Sequence, residues 1–167
     1  MIFRRPPTGE IQTVKDGNTA LATRRELPRP VTMERISTEL QKHNYAFTID
    51  DDGDLTGVWD NHQFWFILGG NEKEVLQVRG RWNSSLGSSE RLSALLAVND
   101  WNRDHIWPKV YVRDEVDLVI YAEVSIDFEY GVTDAQLREV IACGLVTAVQ
   151  FFNNFGTTLT ATLGLES

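Results

Sequence analysis

The sequence predicts an α+β domain: an antiparallel β-sheet of about five to six strands with three main helices, in the order α-β-β-β(-β)-α-β-β-α. Three observations carry this prediction. Apolar residues recur every three to four positions in three segments and every second position in the stretches between them. Short turns rich in Asp, Asn and Gly join successive alternating stretches, which leaves no room for a parallel crossover. A length of 167 residues suits one well-filled core and not two.

The elements follow in order. Residues 1–30 hold four of the five prolines and two Arg pairs without an apolar period, and read as a flexible N-terminal arm. Thr32 can cap a first helix running to about His43, with Val31 and Ile36 placed as a hydrophobic staple and Met33, Ile36 and Leu40 as its stripe. Tyr45, Phe47 and Ile49 then alternate with polar residues as a strand, and Asp51 to Asp54 turn it into a short strand from Leu55 to Trp59. Gln63 to Leu68 and Glu74 to Trp82 continue the antiparallel series. A helix from about Ser89 to Asp104 should turn Leu92, Leu95, Leu96 and Trp101 inward, and Pro108 stops it. Trp107 to Arg113 and Asp117 to Phe128 form a long hairpin, and Thr133 and Gln136 make a capping box for a last helix ending near Asn154. One domain over residues 31–155 results, followed by a frayed Thr-rich tail, 156–167.

Composition narrows the functional classes. The net charge of −8 and pI near 4.8 oppose non-specific binding to nucleic acid or anionic membrane. Cys143 has no partner for a disulfide, and the opening residues lack the apolar run of a signal peptide, so a cytoplasmic location is expected. The Asn83-Ser84-Ser85 sequon therefore reads as a polar linker.

Chemistry-bearing residues are sparse. Aspartates 50, 51, 52 and 54 surround Gly53, but with Gly53 at the sixth position of a calcium loop Thr48 and Trp59 occupy the first and twelfth, where Asp and Glu are needed. A hairpin turn explains the cluster. His43, His62 and His105 lack zinc-helix spacing and read as surface positions, and Asp100, Asp104 and His105 as a solvated helix face. Cys143 sits in an apolar helix without cationic neighbours and reads as packing. Gly69-Gly70 precedes a strand, so it is a turn and not a phosphate loop. No catalytic residue, metal ligand or cofactor is expected.

Two features point to binding. If the strands are neighbours, Arg79, Arg81, Lys109, Tyr111 and Arg113 share one basic, aromatic sheet face with Trp65 and Ile67. That face could hold a protein or an anionic ligand such as single-stranded nucleic acid, or its cations could pair with Tyr121, Glu123 and Asp127 in a cross-strand ladder. The last helix carries one stripe through Leu137, Ile141, Ala148 and Phe152 and a second through Val140, Thr147 and Phe151, more apolar circumference than one sheet contact uses. The second stripe is either core or a dimer contact, and its most apolar run, about 13 residues from Val140 to Phe152, is short for a bilayer.

Particular stretches resemble the YbjN family, which is similar in fold to type III secretion chaperones. They are the acidic turn Asp51 to Asp54 followed by Trp59, then VLQVRGRW (Val75 to Trp82), LLAVNDWN (Leu95 to Asn102), WPKVYVR (Trp107 to Arg113) and AEVSIDFEYGVTDAQL (Ala122 to Leu137). The resemblance covers roughly residues 31–155. It implies that fold and a dimeric, protein-binding habit with an unidentified protein partner, in a chaperone-like or sensory regulatory role, and it carries over no catalytic residue.

Overall fold

The computed structural model describes residues 26–163, with side chains described as far as Thr157. Three helices, α1 (Met33–Lys42), α2 (Arg91–Asp104) and α3 (Asp134–Leu163), accompany six strands. These are β1 (Thr48–Ile49), β2 (Leu55–Trp59), β3 (His62–Gly69), β4 (Val75–Arg81), β5 (Lys109–Asp114) and β6 (Leu118–Asp127). All pairings are antiparallel and the sheet runs β1-β2-β3-β4-β6-β5, so the only departure from sequence order is the exchange of the last two strands.

Local chemistry sets the boundaries. Thr32 Oγ1 accepts the Arg35 amide at 3.2 Å, and Val31 and Ile36 are both buried beside that cap. Thr133 and Gln136 close the capping box of α3 in both directions, at 3.1 and 3.2 Å. In the β1–β2 turn, Asp50 Oδ1 accepts the amides of Asp52 and Asp54, and Gly53 supplies the positive φ of 86° that other residues rarely adopt. The acidic cluster is thus hairpin chemistry.

Alternation then sorts the sheet into two faces. Phe64, Phe66 and Leu68 of β3, Leu76 and Val78 of β4, and Leu118, Ile120, Ala122 and Val124 of β6 are buried on the face that α3 crosses. Gly144 of α3 lets helix and sheet approach closely: a Cβ there would lie 2.6 Å from Val78 Cβ. Around α3 pack α1 near its start and α2 further along, where Trp101 meets Phe151 edge-on at 5.0 Å. All three helices therefore lie on one side of the sheet, and Trp65, Ile67, Arg79 and Arg81 line the other, uncovered side.

Several expectations need correction. Phe151 is only 2% exposed, enclosed by Trp101, Phe152 and Phe155, so the second stripe of α3 faces the core and not a dimer partner. Val140 and Thr147 are half-buried, with the Thr147 hydroxyl spent on the Cys143 carbonyl. On α2 the inward residues are Ala94, Val98 and in part Trp101, while Leu92, Leu95 and Leu96 point outward. His62 is 4% exposed; its ring lies 4.6 Å from Phe152 and Nδ1 accepts the Asn83 amide at 3.1 Å. Burial lowers its pKa, with Asp60 opposing.

Ordered structure also continues past both ends of residues 31–155. Arg29 bridges Val132 through both backbone hydrogen bonds, and Arg29, Arg35 and Glu26 all bond to Asp134, so the last part of the expected arm is docked; residues 1–25 lie outside the described residues. Helix α3 runs on to Leu163 through the segment expected to fray. Asp134–Thr157 also has the length and composition of a membrane-crossing helix, at mean hydropathy 1.3 over its apolar window. Its core stripe of Leu137, Ile141, Leu145, Ala148 and Phe152 is nevertheless packed within the domain.

Candidate functional site

Antiparallel register places the sequence-predicted sheet residues in cross-strand rows. Thr56, Trp65, Arg79, Glu123 and Lys109 form one row across five strands, and Gln63, Arg81, Tyr121 and Tyr111 form the next. Arg79, Lys109 and Tyr111 do come together, and what gathers them is Glu123. This carboxylate is 6% exposed, accepts from Lys109 Nζ at 2.9 Å and Tyr111 Oη at 2.8 Å, and lies 3.3 Å from Arg79 Nε. Burial raises its pKa, but the Lys109 and Tyr111 hydrogen bonds and the Lys109 and Arg79 charges outweigh that and hold it below the usual value. The Tyr111 hydroxyl is correspondingly pushed up, by burial and by its bond to Glu123.

The second row behaves alike. Tyr121 donates to Glu115 at 2.9 Å, Arg81 reaches Glu115 at 3.8 Å, and Arg113 sits over the Tyr121 ring at 5.5 Å. Tyr111 and Tyr121 stack at 5.6 Å. The cross-strand ladder that the sequence offered as one reading is therefore formed around Glu123 and Glu115, while Asp127 instead accepts the Glu129 amide. The site's cations are largely spent on internal carboxylates, which leaves Trp65, Ile67 and the exposed Val58 as apolar parts of the uncovered face.

Sequence reasoning missed a more exposed surface. Leu92, Leu95 and Leu96 are 69%, 41% and 57% exposed on α2. The signal was present: Ala94, Val98 and Trp101 form a second stripe at helical spacing, and its small residues allow α2 the closer approach to β5. At the end of α2, Asn102 bonds both the N–H and the C=O of Val110, at 3.0 and 2.9 Å, and Trp101 Nε1 donates to the Pro108 carbonyl at 3.2 Å. Among the described residues no group of three or more His, Cys, Asp or Glu is arranged to hold a metal ion.

Comparison with known proteins decides the family. The family model described as "putative bacterial sensory transduction regulator" matches residues 32–157. The chain belongs to the YbjN family. Among solved structures it is similar to E. coli YbjN, described as "a putative transcription regulator", with TM-score 0.67 and 11% identity over 79% of this chain and 96% of that one. At that identity the likeness to E. coli YbjN concerns the fold. A HopA1-SchA chaperone-effector complex gives TM-score 0.48 and 15% identity, covering 75% of this chain and 97% of that one. No curated protein sequence matches. Among the described residues, the uncovered sheet face and the outward face of α2 are two surfaces on which apolar side chains remain open to solvent.

Proposed function

We propose that the chain is a non-enzymatic protein-binding domain with a chaperone-like or regulatory role, acting in the cytosol as a homodimer. The observation that carries this reading is the row of outward leucines on α2. Burying one leucine side chain stabilises association by roughly 1.5–3 kcal/mol, and three in a row are uncommon on a face that only water touches. The row is also self-complementary. In an antiparallel pair of α2 helices centred between Leu95 and Leu96, each copy sets its Arg91 opposite the other's Asp100 and its Leu95 opposite the other's Leu96. The uncovered sheet face, with Trp65 and Ile67, is then left for the unidentified protein partner. The family description supports a regulator, and the geometry gives the anionic-ligand reading little support because Glu123 and Glu115 already hold most of the sheet's cations.

Light scattering tests the reading. The wild-type chain should have twice the monomer mass, and Leu95→Glu should halve it while preserving a cooperative melt, because a charge placed in a dry contact costs several kcal/mol there and nothing on an open surface. A Leu95→Glu chain that remains a dimer would place the interface elsewhere, and a monomeric wild type at about 100 µM would remove the dimer altogether.

A further inference from the structure

A groove of about 460 Å³ opens between the end of α2, the segment leading into β5, and the second half of α3. Its floor is rigid and aromatic. Trp101 and His105 stack face to face, 3.7 Å apart and 3° from parallel, and Trp101 is fixed by its bond to the Pro108 carbonyl and its contact with Phe151. Trp107 stands beside them, 45% exposed. The wall is a row of primary amides. Gln150 and Asn154, one turn apart on α3, are exposed, and their side-chain amides have no hydrogen-bond partner among the described residues. Asn153, which also lines the groove, donates to Asp60 Oδ2 at 3.0 Å, so a carboxylate lies next to the lining. Beside the groove, at the adjoining end of α2, Asp100 and Asp104 both pair with the single Arg103, which leaves a net negative charge there together with the negative end of the helix.

These parts select one kind of occupant. A primary amide both donates and accepts, which matches the alternating groups of an extended peptide backbone. Indole faces take up flat or aliphatic side chains and attract cations. Surroundings with more carboxylates than guanidinium groups favour a basic segment and repel an acidic one or a phosphate. We propose that this groove docks an extended, arginine- or lysine-bearing segment of a partner protein, with the backbone on Gln150 and Asn154 and a cation over Trp107. This rests on the protein-binding reading above but uses a surface distinct from the leucine face of α2, so the two can fail separately.

The test uses the full ¹⁵N-labelled chain and three probes: a capped Arg-Pro-Arg-Pro-Arg-Pro peptide, its Glu-Pro counterpart, and maltotriose. The basic peptide should shift the indole N–H signal of Trp107 and the side-chain amide signals of Gln150 and Asn154, and its binding should weaken with added salt. Trp107→Ala should weaken binding about tenfold or more, as loss of a central aromatic contact does. The double variant Gln150→Ala, Asn154→Ala, both on the exposed face of α3, should weaken it comparably without touching the fold. Leu95→Glu should leave it within about twofold even if the dimer is lost. The proposal is overturned if the basic peptide leaves those signals unmoved, if the acidic peptide binds as well, if only maltotriose binds, or if Leu95→Glu abolishes peptide binding.

Discussion

Replacing Glu123 by Gln removes one negative charge from the centre of the uncovered sheet face and changes little else in shape. The carboxylate receives three groups, and each contributes differently. The Tyr111 hydroxyl keeps an acceptor in the variant, the carbonyl of the new amide. Arg79, with 28% of its side chain exposed, loses a charge-assisted contact of the kind that contributes about 1.5–3 kcal/mol, and it then faces an amide N–H or a weaker neutral acceptor. Lys109 is 68% exposed, so its bond is screened by solvent and contributes no more than about 1 kcal/mol. The expected loss is about 2 kcal/mol, or roughly 4–8 °C in Tm for a chain of this size. Acidity provides the sharper check. Because the folded-state pKa of Glu123 lies below its unfolded value of 4.5, its contribution is full above pH 4.5 and is lost as pH falls through the folded value. Paired thermal melts of wild type and Glu123→Gln should therefore differ most at pH 6–7 and draw together as the pH falls below 4.5. Equal melting temperatures at neutral pH, or a gap that stays constant into acid, would refute the claim that charge at this position holds the ladder together.

Three further outcomes are expected. Gly144→Ala gains up to about 1 kcal/mol of helix propensity but drives a methyl group into Val78, an overpacking cost of about 1–3 kcal/mol, so a lowered urea midpoint is expected and a raised one would contradict the close approach of α3 to the sheet. Phe151→Glu should abolish the cooperative circular-dichroism melt, since it places an unpaired charge among Trp101, Phe152 and Phe155; a folded monomer would restore the dimer role that its burial removes. Burial raises the pKa of Cys143, so at pH 8 its reaction with a disulfide reagent should be slower than that of a free thiol, and an equal or faster rate would show a more open site.

Much of the fold was legible because its signals are local. The staple of Val31 and Ile36, the Thr133–Gln136 box and the Asp50–Gly53 turn each act within a few residues, and each is formed as read. The strand alternation of Phe64, Phe66 and Leu68 likewise survives, since a single-residue slip would turn every side chain to the wrong face. What failed depends on how tightly elements approach. Hydrophobicity alone favours Leu92, Leu95 and Leu96 as the inner stripe of α2, but the smaller Ala94 and Val98 fit the available distance. The second stripe of α3 looked surplus because one sheet contact does not need it; α2 is a further neighbour, and Trp101 covers Phe151. The sheet cations were grouped correctly by face, yet only the β4–β6–β5 order reveals that one carboxylate sits between them. The groove beside Trp107 joins residues more than forty positions apart, and no spacing in the sequence announces it.

The amide of Asn102 has a consequence for how copies of this protein can meet. By holding both polar groups of Val110 it stands where the next strand would begin, and α2 follows behind it along β5. A foreign strand could pair with Val110 on that side only by displacing the Asn102 amide. At the opposite border the sheet thins to the two residues of β1, too few to anchor a lasting ladder. The sheet is thus capped at one border and tapered at the other, so edge-to-edge pairing is disfavoured even with one face open to water. Crowded copies are left to meet through side chains and not through backbone, and such contacts can be released again.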